Sequence, residues 1–152
     1  MTINDIQDEI IEDFLGFDDW MDRYSLLIDM GNSLPPFPHE DRTEQNLIDG
    51  CQSRVWFTAR LEESDGKTVV VYAGDSDAIL VKGIVALLIR VLSGHTPQEI
   101  ADADLYFIDR ISLREHLSPT RSNGVAAMLR QMRLFALAFA GQDNGQPTEA
   151  RP

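Results

Sequence analysis

Cys51 is the only cysteine of the 152-residue chain and its strongest candidate for chemistry. It lies between Gly50 and the pair Gln52 and Ser53, where a long proline-bearing loop meets alternating apolar residues. Glycine allows backbone conformations that other residues resist, which is typical of a loop tip. A lone cysteine is more often a small buried hydrophobe, but these polar neighbours favour an accessible, nucleophilic thiol.

Three arginines are candidate electrostatic partners of this thiol, namely Arg42, Arg54 and Arg121. A guanidinium near the sulfur favours the thiolate and lowers the thiol pKa, whereas Asp49 would act in the opposite direction. The sequence leaves open which of these charges is nearer.

A cysteine hydrolase is a weaker interpretation. It would need a histidine base, for which the candidates are His39, His95 and His116. No cysteine-protease signature surrounds Cys51. The sequence also contains no H-x-x-x-H or E-x-x-H pair and only isolated glycines, so it predicts neither a metal site nor a phosphate-binding loop.

The composition excludes other classes of partner. The chain has 25 acidic and 13 basic residues, a net charge of −12, and would repel nucleic acid and anionic membranes. The aliphatic run 78–92 is shorter than a membrane span and is interrupted by Lys82 and Arg90. The N-terminal residues do not resemble a signal peptide. We therefore expect a soluble, cytoplasmic protein.

Helical periodicity dominates the first third of the chain. It predicts a helix capped by Thr2 and ended by Gly16, and a second helix that starts at Asp18 or Asp19 and stops at Gly31. Prolines then force an extended loop over about 32–49, which is long enough to suggest a function.

A hairpin and further helices follow Cys51. Alternation over 55–62, the turn Asp65-Gly66 and the β-branched run 68–73 predict two antiparallel strands. Asp75-Ser76-Asp77 is typical of a cap for an aliphatic helix that Gly94 terminates. Thr96 to Glu99 form a capping box, and Ser118-Pro119 open a last long helix that ends at Gly141.

The element order predicts an α+β fold, in which a small antiparallel sheet packs against helices on one face. We expect residues 1–141 to form a single domain and residues 142–152 to form a flexible polar tail.

The segment Asn46–Trp56, NLIDGCQSRVW, resembles the cysteine motif of the SufE family, the sulfur-acceptor proteins of iron–sulfur cluster assembly. Two further segments resemble the same family in the same order, GDSDAILVKG at 74–83 and LSPTRSNG at 117–124. The resemblance covers about Ile6 to Ala140.

This resemblance implies an α+β fold similar to that of SufE and of the scaffold protein IscU. It implies a sulfur acceptor and activator of a pyridoxal-phosphate-dependent cysteine desulfurase, either Suf-type (SufS-like) or Csd-type (CsdA-like). Cys51 would accept the terminal sulfur as a persulfide and pass it to a cluster scaffold (SufBCD-like). The chain itself would hold no cofactor and no metal and would not be an enzyme with independent turnover.

The alternative is an adaptor that binds a desulfurase without relaying sulfur. In either case, the resemblance makes Gly50, Gln52 and Ser53 part of the functional loop. We expect this loop to fold Cys51 against apolar residues at rest and to extend it into the bound desulfurase.

The other two segments contribute supporting residues by the same resemblance. Arg121 becomes a candidate neighbour of the cysteine loop or of the partner surface, and Asp75 and Asp77 either bind the loop or cap the following helix.

Overall fold

The computed structural model describes residues 1–51 and 53–142. Gln52 lies outside the described residues. So does the predicted polar tail, apart from the helical backbone of Gln142.

Two helices begin the chain as predicted, α1 (Ile3–Leu15) and α2 (Trp20–Asn32). The Thr2 side chain accepts a hydrogen bond from the Asp5 amide, and the Asp5 carboxylate accepts one from the Thr2 amide. Asp19 caps α2 by accepting from the Met21 amide. These caps satisfy amides that have no partner within the helix, so local sequence fixes both starting points.

The sequence predicted that α2 ends at Gly31, and this prediction is wrong. Gly31 lies inside the helix, where it allows close packing. A Cβ on Gly31 would lie 2.8 Å from the backbone nitrogen of Gly83, and a Cβ on Gly83 would lie 2.3 Å from the Leu27 carbonyl oxygen. The two glycines therefore allow α2 and the facing helix to approach backbone to backbone.

The predicted hairpin is present as β1 (Val55–Ser64) and β2 (Lys67–Ser76), paired antiparallel. Asp65 and Gly66 both have positive φ, at 51° and 78°, as a two-residue type I′ turn requires. Trp56, whose position the alternation left open, is buried on the second face of the sheet. Between α2 and β1 the long loop contains two short 3-10 turns, His39–Asp41 and Glu44–Asn46.

The aliphatic run forms α3 (Ile79–Leu92). Its N-cap is Ala78, which has no side-chain capping bond, so the prediction that the two aspartates cap it is wrong. Asp75 belongs to β2, and the Asp77 carboxylate accepts a hydrogen bond from the Arg54 amide, so neither aspartate caps α3.

The remaining helices are α4 (Pro97–Asp102), α5 (Phe107–Arg110) and α6 (Pro119–Gln142). The capping box at Thr96 and Glu99 is confirmed. The Ser118 hydroxyl accepts from the Arg121 amide at the start of α6. α6 runs through Gly141, where the sequence predicted its end. Sequence periodicity did not predict the one-turn helix α5.

The predicted α+β class is confirmed: over the described residues, six helices pack with a two-stranded antiparallel sheet. Buried apolar side chains from α1 to α6 form one hydrophobic cluster around α3, which contacts α1, α2, β2 and α6. Within the described part of the chain, none of the helices combines the length and apolar character that crossing a membrane requires.

Candidate functional site

Cys51 opens onto a small cavity between its own loop, α3 and the first three turns of α6. The cavity measures about 20 Å³, enough for a single water-sized atom. Among the described residues, the lining presents more apolar than polar surface to the cavity. The lining consists of Cys51, Ser53, Val81, Ile84, Thr120, Arg121, Gly124 and Met128.

The thiol is half-buried and contacts the backbone of α6. Cys51 Sγ donates a hydrogen bond to the Gly124 carbonyl oxygen at 3.6 Å. Burial raises the pKa of the Cys51 thiol, because the charged thiolate is poorly solvated there. Burial is the cause of this shift, and the arginines suggested by the sequence do not reverse it, so this conformation disfavours the reactive thiolate.

The chain leading into Cys51 is tied to the hairpin. The Ile48 amide donates to the Val55 carbonyl oxygen at 2.9 Å, and Leu47 forms a β-bridge with Trp56. The long loop therefore ends in a single β-bridge and one backbone hydrogen bond, which separate its proline-rich part from the cysteine tip.

The chain leaving Cys51 is tied to the end of β2. The Arg54 amide donates to Asp77 Oδ1 at 3.1 Å, and the Arg54 carbonyl oxygen accepts from the Asp77 amide at 3.2 Å and from the Ser76 hydroxyl at 2.8 Å. With both sides anchored, the segment between them is only residues 49–53.

Gly50 gives this short segment its shape. Its φ of 92° lies in the region that side chains disfavour, which confirms the conformational role expected for this glycine. A Cβ there would also lie 3.3 Å from the Ala127 side chain.

A charged cluster closes the upstream loop over the hairpin. Arg42 Nη2 lies 2.6 Å from Asp75 Oδ2, Lys82 Nζ lies 3.4 Å from Asp75 Oδ1, and the Arg42 guanidinium lies 5.8 Å from the centre of the Trp56 ring. Asp75 is almost fully buried. We call Arg42, Asp75, Lys82 and Trp56 the Arg42 clamp.

The predicted site residues thus separate into three groups. Ser53 and Arg121 line the cavity with Cys51, Asp77 holds the downstream loop anchor, and Asp75 lies in the Arg42 clamp. Gln52 is outside the described residues.

Sequence reasoning missed several cavity residues, namely Val81 and Ile84 of α3 and Thr120, Gly124 and Met128 of α6. It assigned the apolar ones to the core, and only the order of the three family-like segments hinted that they meet the cysteine loop.

No histidine among the described residues lines the cavity. The His95 ring bonds to the Met1 carbonyl oxygen at 3.2 Å, and His116 stacks on Trp20 with the ring centres 3.8 Å apart. His39 lies in the first 3-10 turn. The geometry therefore gives no support to the hydrolase interpretation, which requires a base beside the thiol.

Comparison with known proteins places this architecture in a family. Residues 8–136 match the family model described as SufE, an Fe-S metabolism associated domain. A SufE-like protein of Rhizobium etli is 40% identical over 127 residues, covering 83% of this chain and 86% of that protein. A SufE-like protein of Rhizobium meliloti is 38% identical, covering 83% and 91%.

The fold recurs in the solution structure of a hypothetical protein from Thermus thermophilus. The TM-score is 0.67 at 22% identity, and the match covers 87% of this chain and 93% of that one. The family match spans most of the chain, including the cysteine loop and the start of α6. The chain therefore belongs to the SufE family, and this membership implies a role in iron–sulfur metabolism.

Proposed function

We propose that this protein accepts sulfur from a pyridoxal-phosphate-dependent cysteine desulfurase, activates that enzyme and delivers the sulfur to an iron–sulfur cluster scaffold in the cytoplasm. The function belongs to a single domain, residues 1–141, and Cys51 is the carrier. The observation that supports it most directly is a lone thiol at the tip of an anchored loop, facing a cavity with room for one more atom.

The transfer step is a thiol–persulfide exchange. The Cys51 thiolate attacks the terminal sulfur of a persulfide on the desulfurase, forming a new sulfur–sulfur bond. The bond to the desulfurase cysteine breaks, and that cysteine leaves as a thiolate that takes up the proton lost by Cys51. No net oxidation or reduction occurs, so the step requires no metal, no general-base dyad and no second thiol on this chain.

The cavity suits the product of this step. A persulfide is easily oxidised or reduced, and its extra atom has a place in the partly enclosed cavity lined by Gly124, Ile84 and Met128. Because Cys51 is the only cysteine, no neighbouring thiol of this chain can discharge the persulfide as a disulfide.

Accepting sulfur requires Cys51 to leave the cavity, since its pKa is raised there and its sulfur faces α6. The anchors at Ile48 and Arg54 restrict this movement to residues 49–53. Three extended residues span about 10 Å, so the thiol can reach well beyond the surface without disturbing the hairpin. Arg121, an exposed cavity-lining residue, supplies positive charge that favours the departing anion.

The test is mass spectrometry of the intact protein after incubation with cysteine and a desulfurase. We expect a mass gain of one sulfur atom that reductant removes and that Cys51→Ser abolishes. A Cys51→Ser protein that gains the same sulfur would refute the assignment of the carrier.

The turnover rate of the desulfurase distinguishes a sulfur relay from the alternative, an adaptor that binds the desulfurase without relaying sulfur. A relay predicts that Cys51→Ser binds the desulfurase but does not raise its turnover. If Cys51→Ser stimulates turnover as fully as the unaltered protein, the chain is an adaptor and the relay is excluded.

A further inference from the structure

α6 differs in charge from the rest of the molecule. None of the 25 acidic residues of the chain falls within Pro119–Gln142, whereas this helix carries Arg121, Arg130 and Arg133. In a protein of net charge −12, α6 carries three arginines and α3, the other described α-helix without an acidic residue, carries Lys82 and Arg90.

The outer side of α6 forms an open groove of about 430 Å³. Two of its leucines are exposed large apolar side chains, Leu134 at 49% and Leu137 at 55%. Among the described residues, the groove is lined by apolar and arginine side chains: Arg114, Ala126, Leu129, Arg130, Arg133, Leu134 and Leu137. We call this surface the α6 groove.

The α6 groove faces away from the sulfur site. With 3.6 residues per turn, Arg133 follows Gly124 by about two and a half turns, so the two point to opposite sides of the helix. Gly124 lines the Cys51 cavity and Arg133 lines the groove. Anything bound in the groove therefore leaves Cys51 uncovered.

Residue spacing along the groove fits a helical occupant. Ala126, Arg130, Arg133 and Leu137 follow one another at intervals of four, three and four residues, the spacing by which one helix packs along another. An amphipathic helix laid in such a groove buries its apolar stripe between flanking charges.

The arginines define the charge of that occupant. Arg130 is exposed and makes no ion pair with any residue in the described part of the chain. Arg133 Nη2 donates to the Ala103 carbonyl oxygen at 2.8 Å, which fixes the guanidinium without neutralising it. Of the three groove arginines, Arg114 is the one with a carboxylate partner among the described residues, Asp109 at 2.9 Å.

We propose that the α6 groove docks an acidic amphipathic helix of a partner protein, which binds while Cys51 remains free to exchange sulfur. Leu134 and Leu137 receive the apolar stripe of that helix, and Arg130 and Arg133 pair with its Asp and Glu residues. A second copy of this chain is a poorer occupant, because a two-fold contact through the groove would bring its arginines against their own counterparts.

The test is an NMR titration of the ¹⁵N-labelled full-length protein with a helical peptide of about 20 residues, long enough to form a helix on its own. The peptide carries leucines at i, i+3, i+4 and i+7 flanked by glutamates, and a matched peptide replaces every glutamate with lysine. We expect saturable shifts of amides from Ala126 to Leu137 with the acidic peptide only. Arg130→Gln and Leu137→Gln should each weaken binding about tenfold, whereas Leu15→Gln, which alters an equally exposed leucine of α1, should not.

The opposite outcomes overturn the inference. Equal binding of both peptides would mean a merely apolar surface, and shifts centred on the Cys51 loop would place the site elsewhere. Self-association that Leu137→Gln abolishes would assign the groove to a second copy. Absence of shifts at about 1 mM peptide would exclude the site. None of these readouts involves sulfur transfer, so failure here is distinguishable from failure of the proposed function.

Discussion

The Cys51 sulfur and the backbone of Gly124 are close enough that one methyl group would occupy the space between them. A Cβ at position 124 would lie 3.5 Å from Cys51 Sγ, an ordinary van der Waals contact. Gly124→Ala should therefore fold normally, and its better helix propensity should raise the free energy of unfolding by up to about 1 kcal/mol. The same methyl fills the place proposed for the persulfide sulfur, so we expect several-fold slower sulfur loading by mass spectrometry.

Gly141→Ala is the matched control for this experiment. A Cβ there meets nothing within 4 Å, so the same helix gains the same methyl far from the thiol. If Gly124→Ala loads sulfur as fast as Gly141→Ala, the cavity does not shelter the transferred atom.

Tyr72 makes stability sensitive to alkaline pH. Its hydroxyl donates to the Met132 carbonyl oxygen at 2.7 Å, and burial raises the pKa of Tyr72 well above the ordinary value of about 10. Above that pH the unfolded tyrosine loses its proton while the folded one keeps it. The stabilisation is therefore complete below about pH 10 and falls by about 1.4 kcal/mol per pH unit above it. Urea denaturation across this range measures the slope.

Tyr72→Phe identifies the source of that slope. Phenylalanine loses the hydrogen bond but cannot ionise, so its free energy of unfolding should be lower near neutral pH and should decline less steeply at alkaline pH. An identical decline in both proteins would assign the effect to other groups.

At the scale of elements, the crossing of α2 and α3 depends on a glycine. A Cβ on Gly83 would lie 2.3 Å from the Leu27 carbonyl oxygen, and a backbone atom cannot move aside as a flexible side chain can. Gly83→Ala should force the helices apart and lower the free energy of unfolding by about 3 kcal/mol, the upper part of the range for overpacking. Urea denaturation alongside Gly141→Ala, where the added Cβ meets nothing within 4 Å, tests this, and an equal change in the free energy of unfolding of the two variants would contradict it.

The Arg42 clamp predicts an asymmetry between its two partners. Arg42→Ala leaves the buried Asp75 carboxylate with only the more distant Lys82, whereas Asp75→Asn leaves two cations that already reach solvent. An uncompensated buried charge costs more than a freed surface charge, so Arg42→Ala should destabilise the protein by about 2 kcal/mol and Asp75→Asn by less.

Arg60→Ala provides the baseline for the clamp, because Arg60 pairs with Glu62 at the exposed end of the hairpin. Urea denaturation of the three variants should place Arg42→Ala lowest. If the clamp restrains the cysteine loop, the least stable variant should also have the most reactive thiol. Cys51 alkylation should then be fastest in Arg42→Ala.

Local chemistry explains why much of this architecture was predictable. Helix starts are marked by residues whose side chains bond nearby amides, namely Thr2, Thr96 and Ser118. The turn is predicted by the backbone preference of Asp65-Gly66. Cys51 was identified from its loop context and its family resemblance.

Features that depend on distant partners were not predictable. In the sequence, Gly31 is typical of a helix end and Asp75 of a helix cap. In the structure, Gly31 packs against Gly83 and Asp75 pairs with Arg42. The direction in which the Cys51 thiol pKa shifts was also not predictable. It depends on burial against α6, which is distant from Cys51 along the chain.

At the scale of the whole molecule, net charge should act in opposite directions on folding and on docking. Raising NaCl from about 0.01 M to 0.1 M shortens the screening length from about 30 Å to about 10 Å. Repulsion within a chain of net charge −12 then weakens, so the free energy of unfolding should rise. The affinity of the α6 groove for the acidic peptide should fall over the same range. Urea denaturation measures the first quantity and the NMR titration measures the second. A parallel change of both quantities would contradict this account.

The position of Trp56 gives the molecule an internal optical reporter. Its indole is buried under the Arg42 guanidinium and pairs across the bridge with Leu47, one residue before the upstream anchor of the cysteine loop. The other indole, Trp20, is stacked on His116, far along the chain from the hairpin. In a Trp20→Phe background the emission wavelength and the quenching of a single fluorophore report the closure of the loop base in real time, with no label attached to the thiol itself.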